Sequence, residues 1–266
     1  MDCGPLATIL FSDLDGCLLN KADYDYTPAI PVLQRTVSLQ IPIVLASSKT
    51  AAEMVAIAAE LQIPTAPLIC ENGGIILWRD GDERREVTGV SRDEILAVLD
   101  GLKGEFAFRS FRDLGVDGIA AATSLPPAKA ALAADRHSTE PLLWDDSEER
   151  LPAFAAELTA AGLSFTRGGR FYHVAGTATK GAALLRVADV SLPSTSRLII
   201  AVGDSPIDQS MLDVADFAVC IPAPDGTLHV QADPSRARVA AAAGSSGWAA
   251  TISGVLDEVQ QARIKS

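Results

Sequence analysis

Two aspartates near the start of the chain have the spacing of a reactive pair. Asp13 and Asp15 follow the apolar run 8–12, and two residues so spaced after a strand project to one side. One carboxylate could attack an electrophile while the other moves a proton, and both could attract a hard cation such as Mg²⁺. An acidic turn before a loop would explain the same pair without any chemistry.

Hydroxyl and amino groups at two further points could bind a phosphoryl group. Ser47 and Ser48 follow the apolar segment 41–46, where a small hydroxyl could donate to a phosphate oxygen. Lys180 begins a helical pattern, where it could neutralise both a phosphoryl group and an attacking carboxylate. The alternatives are a helix cap, with Thr50 also a candidate, and a solvated lysine.

A second acidic pair follows the apolar segment 197–202. Gly203 allows a tight turn there, and Pro206 suits the first turn of a helix. Asp204 would then lie just outside the helix and Asp208 inside it, so that both could face one metal directly or through water. A capping acid followed by a surface acid is the alternative.

Apolar segments that alternate with helical patterns must position these groups. Fully apolar strands separated by helices predict a parallel sheet covered on both faces, and ligands bind at the carboxyl edge of such sheets. Residues 84–177 differ, because their strands are less uniformly apolar. The sequence therefore predicts an α/β fold, with a Rossmann-like core domain formed by residues 1–83 and 178–266 and an inserted α+β cap domain at 84–177.

The pattern also predicts the individual elements. The predicted strands are 8–12, 41–46, 68–70, 74–78, 106–110, 142–145, 164–166, 171–174, 197–202 and 217–221. The predicted helices are 28–40, 51–61, 92–102, 126–135, 148–161 and 206–215, and 237–256 is expected to be a loop followed by a helix.

Composition excludes several classes of partner. The 266 residues carry a net charge of −12, which argues against nucleic acid or an anionic membrane as the main partner. No run approaches the roughly 18 apolar residues of a membrane span, and no secretory signal is evident. The four cysteines, at 3, 17, 70 and 220, are too widely spaced for a CxxC zinc site. We therefore expect a cytoplasmic protein with free thiols, either a monomer or a homodimer.

The order of the four motifs resembles the haloacid dehalogenase superfamily of aspartate-dependent phosphatases, along the whole chain. The resemblance implies that Asp13 is the nucleophile, that Asp15 protonates the leaving alcohol and then activates water, and that the inserted domain closes over the site and selects the substrate. It also implies Mg²⁺ as cofactor and a small anionic phosphorylated sugar as substrate. The implied phosphoryl-binding residues are Ser47 and Lys180, and the implied metal site comprises Asp13, Asp15, Asp204 and the supporting Asp208.

Several segments are similar, more narrowly, to the mannosyl-3-phosphoglycerate phosphatases. The Ser-Ser-Lys-Thr sequence at 47–50 is informative, since many related sugar phosphatases have Thr-Gly-Arg there. The implied reaction releases phosphate and mannosylglycerate, a compatible solute. The other similar segments are 12–19, 69–74, 144–150, 169–174 and 203–206.

Such a substrate carries a carboxylate and several hydroxyls besides its phosphate. A carboxylate favours arginine, and the cap candidates are Arg170 and His173. For Arg167 and Arg170 alike, a charged hairpin tip in solvent is the alternative. His173 could equally be a half-buried histidine of a sheet. The other candidate substrate-binding residues are Ser48, Lys49, Glu71 and Asn72. Lys49 could instead be a surface lysine, and Glu71 and Asn72 could simply form the turn that Asn-Gly favours.

Two residues depart from the family pattern. Cys17 stands where threonine is usual, and Ile207 stands where asparagine is usual. The spacing of Ile207 to Met211 predicts that it packs inward on a helix, which would remove one phosphoryl contact. A single sequence does not distinguish sugar epimers, so hydrolysis of glucosyl-3-phosphoglycerate or another sugar phosphate is an alternative function. Sugar phosphomutases share this core and a similar cap, and Ile207 adds non-catalytic binding as a further alternative.

Overall fold

Two sheets organise the chain in a computed structural model, which describes residues 7–63, 66–79, 81–168, 170–192 and 197–265. Cys3 and Gly169 of the sequence predictions lie outside these residues. The strands are β1 (Ala7–Ser12), β2 (Ile43–Ala46), β3 (Leu68–Cys70), β4 (Ile75–Trp78), β5 (Arg84–Val87), β6 (Phe108–Ser110), β7 (Thr139–Trp144), β8 (Ser164–Gly168), β9 (Phe171–Ala175), β10 (Arg197–Gly203), β11 (Phe217–Cys220) and β12 (Ala237–Val239).

Helices connect most of these strands. They are α1 (Ile30–Ser38), α2 (Ala51–Glu60), α3 (Arg92–Leu102), α4 (Phe111–Thr123), α5 (Pro127–Ala134), α6 (Leu151–Ala160), α7 (Lys180–Ser191), α8 (Gln209–Val214) and α9 (Gly244–Lys265). Short 3₁₀ turns cover Thr27–Ala29, Glu71–Gly73, Glu148–Arg150 and Pro206–Asp208. Among the described helices, none combines the length and the apolar character that crossing a membrane requires.

The large sheet confirms the predicted α/β core. Its order is β12-β11-β10-β1-β2-β3-β4-β5, parallel from β12 to β3 and antiparallel from β3 to β5. Alternate residues of β1 pack on opposite faces, with Leu10 in the cluster around Trp248 and Phe11 in the cluster around Leu184. Helices cover both faces, which explains why the central strands are apolar throughout.

The small sheet is antiparallel, in the order β6-β7-β9-β8, and packs with helices from the same part of the chain. Phe154 of α6 lies at the centre of its core, with four aromatic ring centroids 5.1–5.3 Å away. The predicted cap boundary at residue 84 needs correction, because β5 pairs with β4 in the large sheet. The first helix that packs on the small sheet is α3, which begins at Arg92.

Most predicted elements are confirmed with small shifts of their ends, but α4, β5 and β12 were not predicted. Helix α4 contains Gly115 in a positive-φ conformation, which breaks the helical pattern. Strand β5 is mostly exposed and charged, as edge strands commonly are, so it shows no apolar signal. Strand β12 has only three residues, too few for a periodicity to be recognised.

Candidate active site

The carboxyl edge of β1 holds Asp13 in a fixed position. The Asp13 backbone N–H donates to the carbonyl of Val202 (3.0 Å), since β1 and β10 are parallel neighbours. The Ser12 hydroxyl donates to the Asp13 carbonyl (2.7 Å) and accepts from the Trp248 indole N–H (2.9 Å). Asp13 is only 6% exposed. The strand pairing and these contacts fix the backbone of Asp13, from which its carboxylate extends.

Lys180 is the buried cation of the site, so the interpretation of it as a solvated lysine is wrong. It is 1% exposed at the start of α7, whose N-terminus is capped by the Thr179 hydroxyl. Its ammonium group donates to Asp13 Oδ1 (2.6 Å) and to Asp208 Oδ1 (2.7 Å). One lysine therefore serves two buried carboxylates from different strand-end loops.

Asp204 lies against the turn that follows Asp13. Gly16 has φ of 95°, and a β-carbon there would lie 2.5 Å from Asp204 Oδ2. Only glycine tolerates both this conformation and this approach. Oxygen or sulfur atoms of Asp13, Cys17 and Asp204 all lie within 4.8 Å of one another, so these side chains could hold a metal ion.

Asp208 is fully buried, so the interpretation of it as a surface acid is wrong. Its Oδ2 accepts from the backbone N–H groups of Asp204 (3.2 Å) and Ser205 (3.1 Å) and from the Ser205 hydroxyl (2.8 Å). Its Oδ1 is bound by Lys180. Both oxygens are engaged, which corrects its place among the direct metal ligands: Asp208 supports the Asp204 loop and Lys180.

Burial and like charge raise the pKa values of the clustered acids. Burial raises the pKa of Asp13 to about 7; the Lys180 charge opposes this shift and Asp208 adds to it. Burial and repulsion by Asp208 raise the pKa of Asp204 to about 6. A divalent cation beside Asp13 and Asp204 would favour their ionised forms. Two hard carboxylates suit Mg²⁺, whereas burial raises the pKa of the Cys17 thiol and keeps it protonated.

Asp15 faces the cavity beside Asp13 and pairs with Lys49. The Lys49 ammonium lies 2.5 Å from Asp15 Oδ2, and it also lies 5.5 Å from the centroid of the Tyr24 ring. Burial lowers the pKa of Lys49, but the Asp15 carboxylate outweighs this and raises it. In the described part of the chain, Asp15 Oδ1 is buried without a hydrogen-bond partner. Lys49 thus holds Asp15, and its contact with substrate stays a prediction.

The loop after β2 supplies the serines. Ser47 is buried, and its hydroxyl accepts from the Lys49 backbone N–H at 3.3 Å. Ser48 lines the cavity. Thr50 caps α2 through a reciprocal pair of hydrogen bonds with Glu53, so the predicted helix cap is confirmed for Thr50. Neither serine caps the helix, and Ser48 shares the cavity lining with the acids.

Glu71 and Asn72 separate into two roles. The buried Glu71 carboxylate accepts from the backbone N–H groups of His137 (2.8 Å) and Ser138 (3.0 Å) and from the Thr139 hydroxyl (2.6 Å). It therefore fastens the segment before β7 to the core, which corrects its assignment as a substrate ligand. Asn72 lines the cavity, and its Oδ1 is buried without a hydrogen-bond partner among the described residues.

A cavity of about 570 Å³ opens above the acids between the two sheets. Ile207 lines it and is 44% exposed, so the prediction that Ile207 packs inward is wrong. Arg170 is not among the lining residues and donates instead to the carbonyl of Ala122 in α4. The lining residues are Asp13, Asp15, Lys21, Ser48, Asn72, Thr166, Arg167, His173, Lys180, Asp204, Ser205, Pro206 and Ile207.

His173 reaches the cavity as a neutral side chain. Burial and the nearby positive charge of Arg136 lower its pKa to about 4. Sequence reasoning missed Arg136, which donates to the Thr139 hydroxyl (2.7 Å) and the Ser48 carbonyl (3.4 Å). It also missed Lys21, which lies in the loop after β1. No local motif marks these two cations, because only the fold brings Lys21 to the cavity and Arg136 to Ser48 and His173.

Comparisons with known proteins agree with the fold. The sequence model of the haloacid dehalogenase-like hydrolase family matches residues 10–115. A solved structure from Thermoplasma acidophilum is similar over 96% of this chain and 99% of its own, with 16% identity and a TM-score of 0.67.

Two other solved structures have similar folds. One is a phosphatase of the haloalkanoate enzyme superfamily from Bacteroides thetaiotaomicron, with 20% identity, a TM-score of 0.65 and coverage of 98% of this chain and 97% of its own. The other is a subclass IIB sugar phosphatase of the same superfamily, with 14% identity, a TM-score of 0.63 and coverage of 94% and 98%. Residues 10–115 are thus similar to the haloacid dehalogenase-like hydrolases, and the chain as a whole shares its α/β fold with these solved structures.

Proposed function

We propose that this protein is a Mg²⁺-dependent phosphatase that hydrolyses a phosphorylated sugar through an aspartyl-phosphate on Asp13. The observation that carries the proposal is the contact of Lys180 with Asp13 and Asp208, beside Asp204 and beneath the cavity. A buried carboxylate held by a buried lysine at a strand end is placed to attack and to be regenerated. A protein that only bound a phosphate would gain nothing from burying further acids around that lysine.

The first chemical step uses Asp13 and Asp15. Lys180 holds Oδ1 of Asp13, which leaves the second oxygen to attack phosphorus. The bond from phosphorus to the sugar oxygen breaks, and Asp15 gives its proton to that oxygen. The products of this step are the free alcohol and a phosphorylated Asp13.

The second step reverses the role of Asp15. Now ionised, Asp15 takes a proton from a water molecule as the water oxygen attacks phosphorus. The bond between phosphorus and Asp13 breaks, which releases phosphate and restores the carboxylate. Lys49 holds Asp15 through both steps, and the hydroxyl of Ser48 and the amide of Asn72, which line the cavity, would bind phosphoryl oxygens together with the Ser47 hydroxyl.

Asp13 and Asp204, with the backbone carbonyl of Asp15, would hold the Mg²⁺ ion. When bound, the ion neutralises charge on the transferring phosphoryl group. The raised pKa values of both carboxylates fit this role, since the pair is short of positive charge without a cation.

The substrate we propose is mannosyl-3-phosphoglycerate. The segments similar to the phosphatases of that compound support it, as does a cavity whose lining combines Lys180, Arg167 and the neutral His173. A sugar phosphatase among the structural neighbours agrees with the substrate class. Glucosyl-3-phosphoglycerate differs only at one hydroxyl and is the nearest alternative substrate.

Phosphate release with Mg²⁺ tests the proposal. The assay compares mannosyl-3-phosphoglycerate, glucosyl-3-phosphoglycerate and a panel of plain sugar phosphates. We expect preference for the mannosyl compound and no turnover by Asp13→Asn. Phosphate release from plain sugar phosphates alone would mean that one of these, and not mannosyl-3-phosphoglycerate, is the substrate. An isomerised sugar phosphate in place of free phosphate would indicate a mutase. Turnover by Asp13→Asn would refute the mechanism.

A further inference from the structure

The guanidinium of Arg167 lies at the cavity wall without a carboxylate partner. Arg167 belongs to β8, opposite Tyr172 of β9, and it lines the cavity that also contains the reactive acids. Within the described residues, no carboxylate lies within ion-pair distance of it. An arginine beside a cavity, with its donors unclaimed by acids, is suited to an anionic ligand.

Aromatic stacking fixes where this guanidinium sits. Its central carbon lies 5.5 Å from the centroid of the Tyr172 ring. That ring in turn stacks on Phe165, with centroids 4.9 Å apart and planes 11° from parallel. The stack runs from the core of the small sheet to the cavity, so it places the exposed Arg167 guanidinium against an aromatic ring at the cavity wall.

The other cationic side chains near the cavity are bound to, or lie beside, other groups. Lys180 is bound to two buried acids, and Lys49 is bound to Asp15. Lys21 lies close enough to Asp204 for its charge to act on that carboxylate, so it belongs to the phosphoryl end. Arg170 points to α4. Arg136 does not line the cavity and donates to the Thr139 hydroxyl and the Ser48 carbonyl. Of the described cations that line the cavity, Arg167 is therefore the one placed to face a second anionic group.

We infer that Arg167 is the specificity residue that binds a second anion of the substrate, a carboxylate, in phosphate esters that carry one. This inference rests on the proposed function and adds a residue to it. The neutral His173 then serves the hydroxyls between the two anions. The site would favour a phosphorylated acid over the corresponding phosphorylated alcohol.

Ligand binding tests the inference without relying on turnover. The parent is Asp13→Asn with Mg²⁺, which lacks the attacking carboxylate and does not consume ligand. Calorimetry compares 3-phosphoglycerate with glycerol 3-phosphate, which differ by a carboxylate. We expect the parent to prefer 3-phosphoglycerate, and we expect Arg167→Ala to weaken that ligand about tenfold or more while leaving glycerol 3-phosphate within about twofold.

Matched variants decide between this residue and its neighbours. Arg170→Ala makes the same charge change three residues away and should leave the preference intact, as should Lys21→Ala. A parent without preference, an equal loss of both ligands in Arg167→Ala, or a selective loss in either control variant would overturn the inference. Arg167-dependent binding together with no phosphate release by the unmodified protein would instead refute the phosphatase and keep the anion site.

Discussion

Replacing the proposed nucleophile should make the metal-free protein more stable. Asp13 is buried beside Asp208 and shares Lys180 with it, and burial raises its pKa to about 7 from an ordinary 3.8. The folded protein therefore holds this proton more tightly than the unfolded chain does. Protonated Asp13 therefore stabilises the folded protein; this contribution is fully present below pH 4 and is lost as pH rises to 7. Asp13→Asn removes the ionisation and keeps the shape.

The magnitude follows from the pKa difference. About three units at 1.36 kcal/mol each make ionised Asp13 about 4 kcal/mol less favourable in the folded protein than in the unfolded chain. The amide binds Lys180 less strongly than a carboxylate does, which offsets part of this gain. We expect Asp13→Asn to be about 2–4 kcal/mol more stable than the unmodified protein at pH 8.

Urea unfolding in the presence of a chelator measures the effect. Transitions followed by circular dichroism at pH 5 and pH 8 give the free energy of unfolding of each protein at both pH values. The advantage of Asp13→Asn should grow by about 3 kcal/mol between them, because folded Asp13 ionises over that interval. A constant difference would mean that Asp13 does not titrate there.

Asp208→Asn is the matched control, since it makes the same chemical change on the other partner of Lys180. Asp208 Oδ2 accepts three hydrogen bonds, and Oδ1 accepts one from Lys180. In either orientation of an asparagine amide, its NH₂ group would replace one of these acceptors and lie against a hydrogen-bond donor. We expect a loss of about 2–4 kcal/mol. Equal effects of the two substitutions, or a loss of stability in Asp13→Asn at pH 8, would refute the argument that burial outweighs the lysine.

Three other changes test separate parts of the structure. Lys180→Met should cost about 3–5 kcal/mol of unfolding free energy because it leaves two buried acids unpaired, whereas Lys49→Met, from a partly exposed pair, should cost about 1 kcal/mol or less; similar urea midpoints would contradict this. His173 has its pKa lowered to about 4, so the protein should lose up to about 3 kcal/mol as pH falls from 6.5 to 4, and His173→Gln should abolish that slope; an unchanged slope would assign it to other groups. Gly16→Ala should lower the melting temperature and prevent Mg²⁺ from raising it, since the added carbon would collide with Asp204; a normal Mg²⁺ response would show that the loop adjusts.

The residues around the acids could be predicted because each sits next to a strand or helix end that the sequence marks. Asp13 and Asp204 follow apolar segments that become β1 and β10, and these strands are paired in parallel. Their carboxyl ends must then meet at one edge of the sheet. Lys180 arrives there because α7 starts at the same edge, a placement that local sequence alone leaves open.

The residues of the small sheet could not be assigned in the same way. Arg167 and Arg170 stand three residues apart at one hairpin, and the local sequence does not say which of the two arginines lines the cavity. The hairpin register decides it, placing Arg167 opposite Tyr172 and leaving Arg170 to reach α4. Glu71 is a parallel case, because its partners are 66–68 residues away in the chain.

The charges of the site indicate a functional reason for burying several carboxylates together, which destabilises the folded protein. Lys180 pairs with Asp13 and Asp208, and Asp204 lies close to both acids, which leaves negative charge in excess in a region of low exposure. Replacing such buried charges with apolar groups is commonly neutral or stabilising, so packing alone gives no reason to retain them. A divalent cation would neutralise the excess, and an incoming phosphoryl group would then meet a site with no net repulsion. The predicted gain of stability in Asp13→Asn and the proposed need for Mg²⁺ are therefore two consequences of one surplus of carboxylates, and the measured sign of the first bears directly on the second.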